Sequence, residues 1–235
     1  MKKLLKIILK FLLALIGVLL ITFVVLKLVY NEDLPEGESG AKADKLAYNI
    51  LEAINHEAFE QAQEIHWTFR GVNHYKWQLQ NDIVKVSWED FEVIYNTKNR
   101  EESEAFEDTE ILQGDAKQEA INYAVNNFNN DSFWLIAPHK LFDPGTTREL
   151  VNQVGKEKLL VQYTSGGSTP GDAYLWEVDE NYRPVAFKMW VSIIPFDGLE
   201  ARWRNWEMTN GGFPLPKSRS VWGLEIPISG VKVIE

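Results

Sequence analysis

The sequence predicts an α+β fold: an N-terminal transmembrane helix, then a domain in which a curved antiparallel sheet, or incomplete β-barrel, covers two or so helices. Three observations carry that expectation. Residues 11–26, FLLALIGVLLITFVVL, contain no charge. Within residues 183–208, Val185, Phe187, Met189, Val191 and Ile193 alternate with Ala186, Lys188, Trp190, Ser192 and Ile194, the period of two that places one series on a buried face. Two stretches of helical periodicity separate runs of strand periodicity, the segregated order of an α+β domain.

The uncharged run is roughly 24 Å long as a helix at 1.5 Å per residue. It extends from Leu4 to Val29 if Lys6, Lys10 and Lys27 snorkel toward the interfaces, which brings it near the hydrocarbon thickness of a bilayer. A cleaved signal peptide shares the basic start and apolar run. The only small-x-small site nearby, Ala41-Lys42-Ala43, lies some fifteen residues beyond the run, so an uncleaved signal anchor over residues 1–30 is the expectation. Four lysines precede the span and an acidic segment follows it, which leaves the N-terminus cytoplasmic and the large domain extracytoplasmic, or periplasmic.

Residues 31–43, NEDLPEGESGAKA, are polar, acidic and broken by Pro35, Gly37 and Gly40, which reads as a flexible tether. As a coil it would span roughly 20 Å and hold the domain of residues 44–235 just clear of the headgroups. A helix is expected from Asp44, as N-cap, to about Gln63, with Leu46, Ile50, Ile54 and Ala58 on its apolar stripe. Four short strands then follow between Ile65 and Tyr95, a meander of antiparallel hairpins. Residues 98–113 read as a solvated polar connection; their six acidic residues between Glu101 and Glu110 lack the ligand spacing and glycine of a calcium loop. A second helix is expected from Asp115, broken at Asn129-Asn130-Asp131. Strands return from Lys158 to Thr164, Ala173 to Asp179, across residues 183–208, and from Ser218 to Ile228.

Charge and composition exclude several functions. Five lysines give the first thirty residues a charge of +5, so the remaining 205 carry −15 of the total −10, which repels nucleic acid. The absence of cysteine excludes a disulfide framework, a thiolate nucleophile, a cysteine-based metal site and a lipid-modified N-terminal cysteine. His66, His74 and His139 lack metal-ligand spacing, so no metal site is expected. Ser132, His139 and Asp143 supply the residue types of a hydrolytic triad without a G-x-S-x-G elbow. The glycine-rich segment at residues 165–172 leads into a strand and has no GK[ST], so a hairpin connection is expected there and no phosphate cradle. No cofactor motif is present.

Nine tryptophans, all outside the uncharged run, sit mostly at alternating strand positions. They build a core, line a ligand-sized cavity, or stack on sugars. The periodicity selects Trp67, Trp77, Trp88, Phe187, Met189 and Trp203 as wall residues of such a cavity, with Arg70 and His74 as anchors for an acidic headgroup. Asp172, Glu177, Asp179 and Glu200 are available as glycosidase carboxylates, but no spacing selects a pair of them.

The order of a long helix, an aromatic meander, a second helix running into FWLIAP at Phe133 to Pro138, and a series of long strands resembles the periplasmic lipoprotein carriers of the LolA and LolB type. The resemblance implies an incomplete barrel with a helical lid over a hydrophobic cavity for acyl chains. The chain departs from those carriers in keeping a membrane anchor and lacking the lipid-bearing cysteine of the anchored member. Two expectations follow: a membrane-anchored, non-catalytic module that holds a lipid or other hydrophobic ligand, and, as the alternative, a structural or interaction module that meets an envelope protein partner.

Overall fold

The computed structural model describes residues 2–165 and 170–234. The first helix, α1 (Lys2–Tyr30), is long and apolar enough to cross a membrane, and its residues are almost wholly exposed to the surroundings. Beyond it the protein is α+β, with two curved antiparallel sheets that do not close into a barrel.

In chain order the next elements are β1 (Glu38–Ser39), α2 (Ala41–Ala53), α3 (His56–Gln61), and the meander β2 (Glu64–Phe69), β3 (Asn73–Gln78), β4 (Ile83–Trp88) and β5 (Phe91–Asn96). Then come β6 (Glu104–Glu107), β7 (Glu110–Ile111), α4 (Gly114–Ile136) and a 3-10 turn at Ala137–Lys140. The second half holds β8 (Thr146–Gln153), β9 (Lys156–Tyr163), β10 (Ala173–Val178), β11 (Pro184–Trp190), β12 (Leu199–Met208), β13 (Pro214–Val221), β14 (Leu224–Glu225) and β15 (Ile228–Ile234). Sheet A runs β1-β8-β9-β10-β11-β12-β13-β14; sheet B runs β15-β2-β3-β4-β5-β6-β7. The last strand thus leaves its sequence neighbours and pairs with β2, Val233 opposite Ile65.

Alternation makes each sheet two-faced. In β2, Ile65, Trp67 and Phe69 are buried while Glu64, His66 and Thr68 are half-buried on the opposite face. Sheet B packs against α3 and α4 through Phe59, Ile121, Val125 and Phe128. Sheet A packs against α2 and the 3-10 turn through Leu46, Ile50, Ala137 and Leu141. Trp134 and Val221 pack against both cores.

The expected first helix divides. Asn55 takes a left-handed conformation, φ 49°, between α2 and α3, a conformation asparagine tolerates better than most residues. The helix starts before Asp44, which lies in the first turn and accepts a hydrogen bond from Arg148 Nε at 2.7 Å. The acidic connection contains β6 and β7, a polar sheet edge whose inward Ala105 is fully buried. The helix expected to break at Asn129-Asn130-Asp131 continues to Ile136, because Asp131 turns inward and accepts from Tyr75 Oη at 2.5 Å and Asn73 Nδ2 at 3.0 Å. Strand β8, absent from the sequence reading, pairs with β9 through the turn at Val154-Gly155. The centre of the glycine-rich segment, residues 166–169, lies outside the described residues.

Residues 31–37, read as part of a free tether, are pinned. Asn31 Nδ2 donates to Asp197 Oδ2 at 2.8 Å, and the Asp197 amide donates back to Asn31 Oδ1 at 3.0 Å. Glu32 accepts from Trp190 Nε1 at its carbonyl, 2.8 Å, and from Lys188 Nζ at its carboxylate, 2.5 Å. Gly198, at φ +77°, lies so close that a Cβ there would sit 2.7 Å from Glu32 Cβ. Further on, β1 pairs with β8, Glu38 opposite Leu150.

Candidate functional site

The six aromatic and thioether candidates face inward, but they divide between the two cores. Trp67 and Trp88 are buried and Trp77 half-buried in the core of sheet B; Phe187, Met189 and Trp203 are buried in that of sheet A. Trp67 stacks on Tyr75 at 4.7 Å, and Trp88 on Tyr123 at 4.4 Å. In sheet A, Trp203 meets Trp176 edge-on at 5.5 Å and Phe187 at 6.0 Å.

The two headgroup candidates lie elsewhere. Arg70 is an exposed turn residue at φ 51°, its guanidinium 5.4 Å from the Phe69 ring centroid, because the strand ends one residue before it. His74 is exposed on the outer face of β3, its Nδ1 2.9 Å from Thr68 Oγ1, beside a shallow depression of about 240 Å³ shared with His66, Lys76 and Lys85. Arg70 meets the aromatics only at Phe69, at the strand's end, and His74 shares its depression with Trp67 and Tyr75.

The interior contains a cation that the sequence reading did not single out. Arg219, on β13, is 1% exposed. It sits opposite Trp203 in the β12–β13 register, with its guanidinium carbon 5.9 Å from the Trp203 ring centroid. Its Nε and Nη2 have no hydrogen-bond partner, and burial lowers its pKa to about 10. The sequence carries no signal that separates them: Lys217 and Arg219 share one phase of β13, yet Lys217 is exposed and Arg219 buried.

Other buried groups near the two cores share this property. The indole Nε1 atoms of Trp67, Trp77, Trp176 and Trp203 and the Tyr95 hydroxyl are buried without a partner. By contrast, the Nε1 atoms of Trp190 and Trp206 donate to the carbonyls of Glu32 and Pro184. A buried donor left unpaired costs about 1–3 kcal/mol, so the interior faces are rich in unmet hydrogen-bonding capacity. Every one of these groups can donate, and none is purely an acceptor.

A surface cleft of about 520 Å³ is lined among others by Asp179, Arg183, Arg202, Arg204 and Trp206 and by the buried Trp203, but not by Arg219. Trp203 therefore borders both the cleft and the buried core. The carboxylates considered for glycan hydrolysis are engaged in structural contacts. Glu177 pairs with Lys156 and Lys158, Glu200 with Arg202, Asp179 accepts from the amides of Asn181 and Arg183, and Asp172 accepts from Tyr174 and the Ser192 amide. His139 contacts His56, Nδ1 to Nδ1 at 3.1 Å, and His66 contacts Glu64. Among the described residues no group of three or more potential metal ligands converges.

No protein-family model matches the chain, and no curated protein matches it. Among solved structures, a DUF1329 family protein from Desulfovibrio piger is similar at 8% identity and a TM-score of 0.41, over 81% of this chain and 92% of that one.

Proposed function

We propose that this protein is a membrane-anchored, extracytoplasmic and non-catalytic binding module for a hydrophobic ligand whose polar end carries acceptor oxygens. The apolar body packs against the inward face of sheet A, among Phe187, Met189, Trp176 and Trp203. The polar end, a carboxylate or phosphate, takes the guanidinium of Arg219. One observation carries this reading: a fully buried arginine, its Nε and Nη2 without a hydrogen-bond partner, lies against Trp203 of the sheet A core. An isolated buried cation is strongly unfavourable, and an anionic partner relieves that cost with charge-assisted hydrogen bonds. The acidic surface bears on the reverse case: a net charge of −15 beyond the first helix disfavours loose anion binding, so recognition falls to a sheltered cation.

The test uses the full chain in lipid nanodiscs with a photoactivatable fatty acid, its cross-links mapped by peptide mass spectrometry. Adducts are expected on β11 and β12, and Arg219→Met is expected to reduce them at least about tenfold, the loss of one charge-assisted contact of roughly 1.5–3 kcal/mol. The same variant should fold as well as the parent or better, since an unpaired buried charge is replaced by an apolar side chain of similar length. Adducts confined to α1 would sink the proposal and turn attention to a protein partner.

A further inference from the structure

We infer that the domain stands directly on the bilayer through two apolar connections beside α1, the loop at residues 191–198 and the turn at Trp222-Gly223, which enter the interface between headgroups and acyl chains. The inference rests on α1 lying in the membrane.

The starting point is depth along α1. Phe23 belongs to the uncharged run, seven residues before Tyr30 and so roughly 10 Å further into the bilayer at 1.5 Å per residue. The Phe196 ring lies 5.8 Å from that of Phe23, which brings the loop alongside the helix at the level of its uncharged part. Trp222 bridges outward: its ring is 5.3 Å from Phe196 and 6.2 Å from Tyr30. A tyrosine and a tryptophan at the end of an apolar helix are the residues that settle at the membrane interface, one side of each ring apolar and one edge polar.

Topology supports the placement. Antiparallel pairing puts the end of β11, the start of β12, the end of β13 and the start of β14 at one end of sheet A, where Met189 pairs with Leu199 and Val221 with Ala201 and Leu224. The turns at Val154 and Tyr182 lie at the opposite end of the same sheet. At the helix end, Ile193, Trp222 and Leu224 are 67%, 57% and 74% exposed. Large apolar side chains crowded beside a transmembrane helix and left uncovered by protein fit a lipid surface. Beside these residues Lys188 is ion-paired with Glu32, while the Asp197 and Glu225 carboxylates accept hydrogen bonds from Asn31 and Ser218 and stay anionic. The footing offers apolar side chains, and the carboxylates beside it would repel anionic lipid, so its attraction to the bilayer is apolar in character.

The absence of native cysteine permits a direct test. Single variants Leu224→Cys, Ile193→Cys, Val154→Cys and Ala14→Cys of the full chain are labelled with a fluorophore and reconstituted into phosphatidylcholine nanodiscs with lipids carrying a nitroxide near the headgroup. Ala14 reports the anchor and Val154 the far end of the domain. Labels at positions 193 and 224 are expected to be quenched by the lipid nitroxide at least ~3-fold more than the label at position 154, to be shielded from an aqueous quencher, and to be insensitive to salt. A lipid-shielded label at position 14 with aqueous labels at 193 and 224 would overturn the footing while keeping the anchor. An aqueous label at position 14 would overturn both.

Discussion

At the scale of single residues, His56 and His139 show how burial couples to pH. The His139 ring stacks on Phe59 at 4.1 Å and meets Phe213 edge-on, and burial, reinforced by His56, holds its pKa well below the usual 6.5. His56 is lowered too, by burial, against the opposing pull of Glu60 and Asp143. The Nδ1–Nδ1 contact needs one ring to donate and the other to accept, so the pair is adapted to neutral imidazoles. Above pH 6.5 both the native and unfolded forms are neutral and the pair adds no pH dependence. As pH falls through that value the unfolded chain binds protons that the native protein refuses, and stability drops by up to about 1.4 kcal/mol per pH unit for each refused proton. The melting temperature is expected to fall between pH 7 and pH 5, with a shallower slope in His139→Phe than in the parent. An unchanged slope would place the pH dependence elsewhere. These histidines are visible in the sequence, but their pairing is not: eighty-three positions separate them, and the sequence groups His139 with His66 and His74 or with Ser132 and Asp143, never with His56. Arg70 and Arg219 carry the same lesson. One was chosen because its phase looked strand-like, yet it is a turn residue; the other lay in a strand whose inward face could not be told from its outward face by alternation with serines.

At the scale of elements, legibility follows how local the determinants are. The meander β2–β5 was readable because each strand carries its own alternation and its own turn. The continuity of α4 was not, because Asn129-Asn130-Asp131 has the composition of a helix stop and is kept helical by partners 56 and 58 positions away in β3. Asp131→Ala leaves Tyr75 and Asn73 as buried donors without their acceptor and is expected to lower the unfolding free energy by about 3 kcal/mol, measured by denaturant titration. Near-neutral behaviour would mean that the helix holds without this network. Strands β6 and β7 are missed for a different reason: they are four and two residues long at a sheet edge, and Ala105 is the one buried side chain in them, so no alternation of large apolar residues marks them. Strand β11 stops at Trp190, short of the apolar residues that continue to Ile194, and those residues become the loop beside α1.

For the whole molecule, the class of fold was legible and the division into two sheets was not. Nothing local in residues 228–234 says that they pair with β2 and not with the preceding strand. That crossing, together with Trp134 and Val221 packing against both cores, ties the two halves together. The domain is therefore expected to unfold in a single cooperative transition: Val86→Ala in one core should shift the tryptophan fluorescence and circular dichroism midpoints equally, and two separated transitions would refute the coupling. The reciprocal hydrogen bonds between Asn31 and Asp197, and the close approach of Gly198 to Glu32, have a mechanical consequence. They leave no swivel between α1 and sheet A, so the two turn as one lever. A helix tilts further when its apolar length exceeds the bilayer's thickness. With α1 in a bilayer, as proposed above, a thinner membrane would swing the distal edge of the sheet through an arc set by the length of the lever, and the domain's orientation would register the thickness of the lipid.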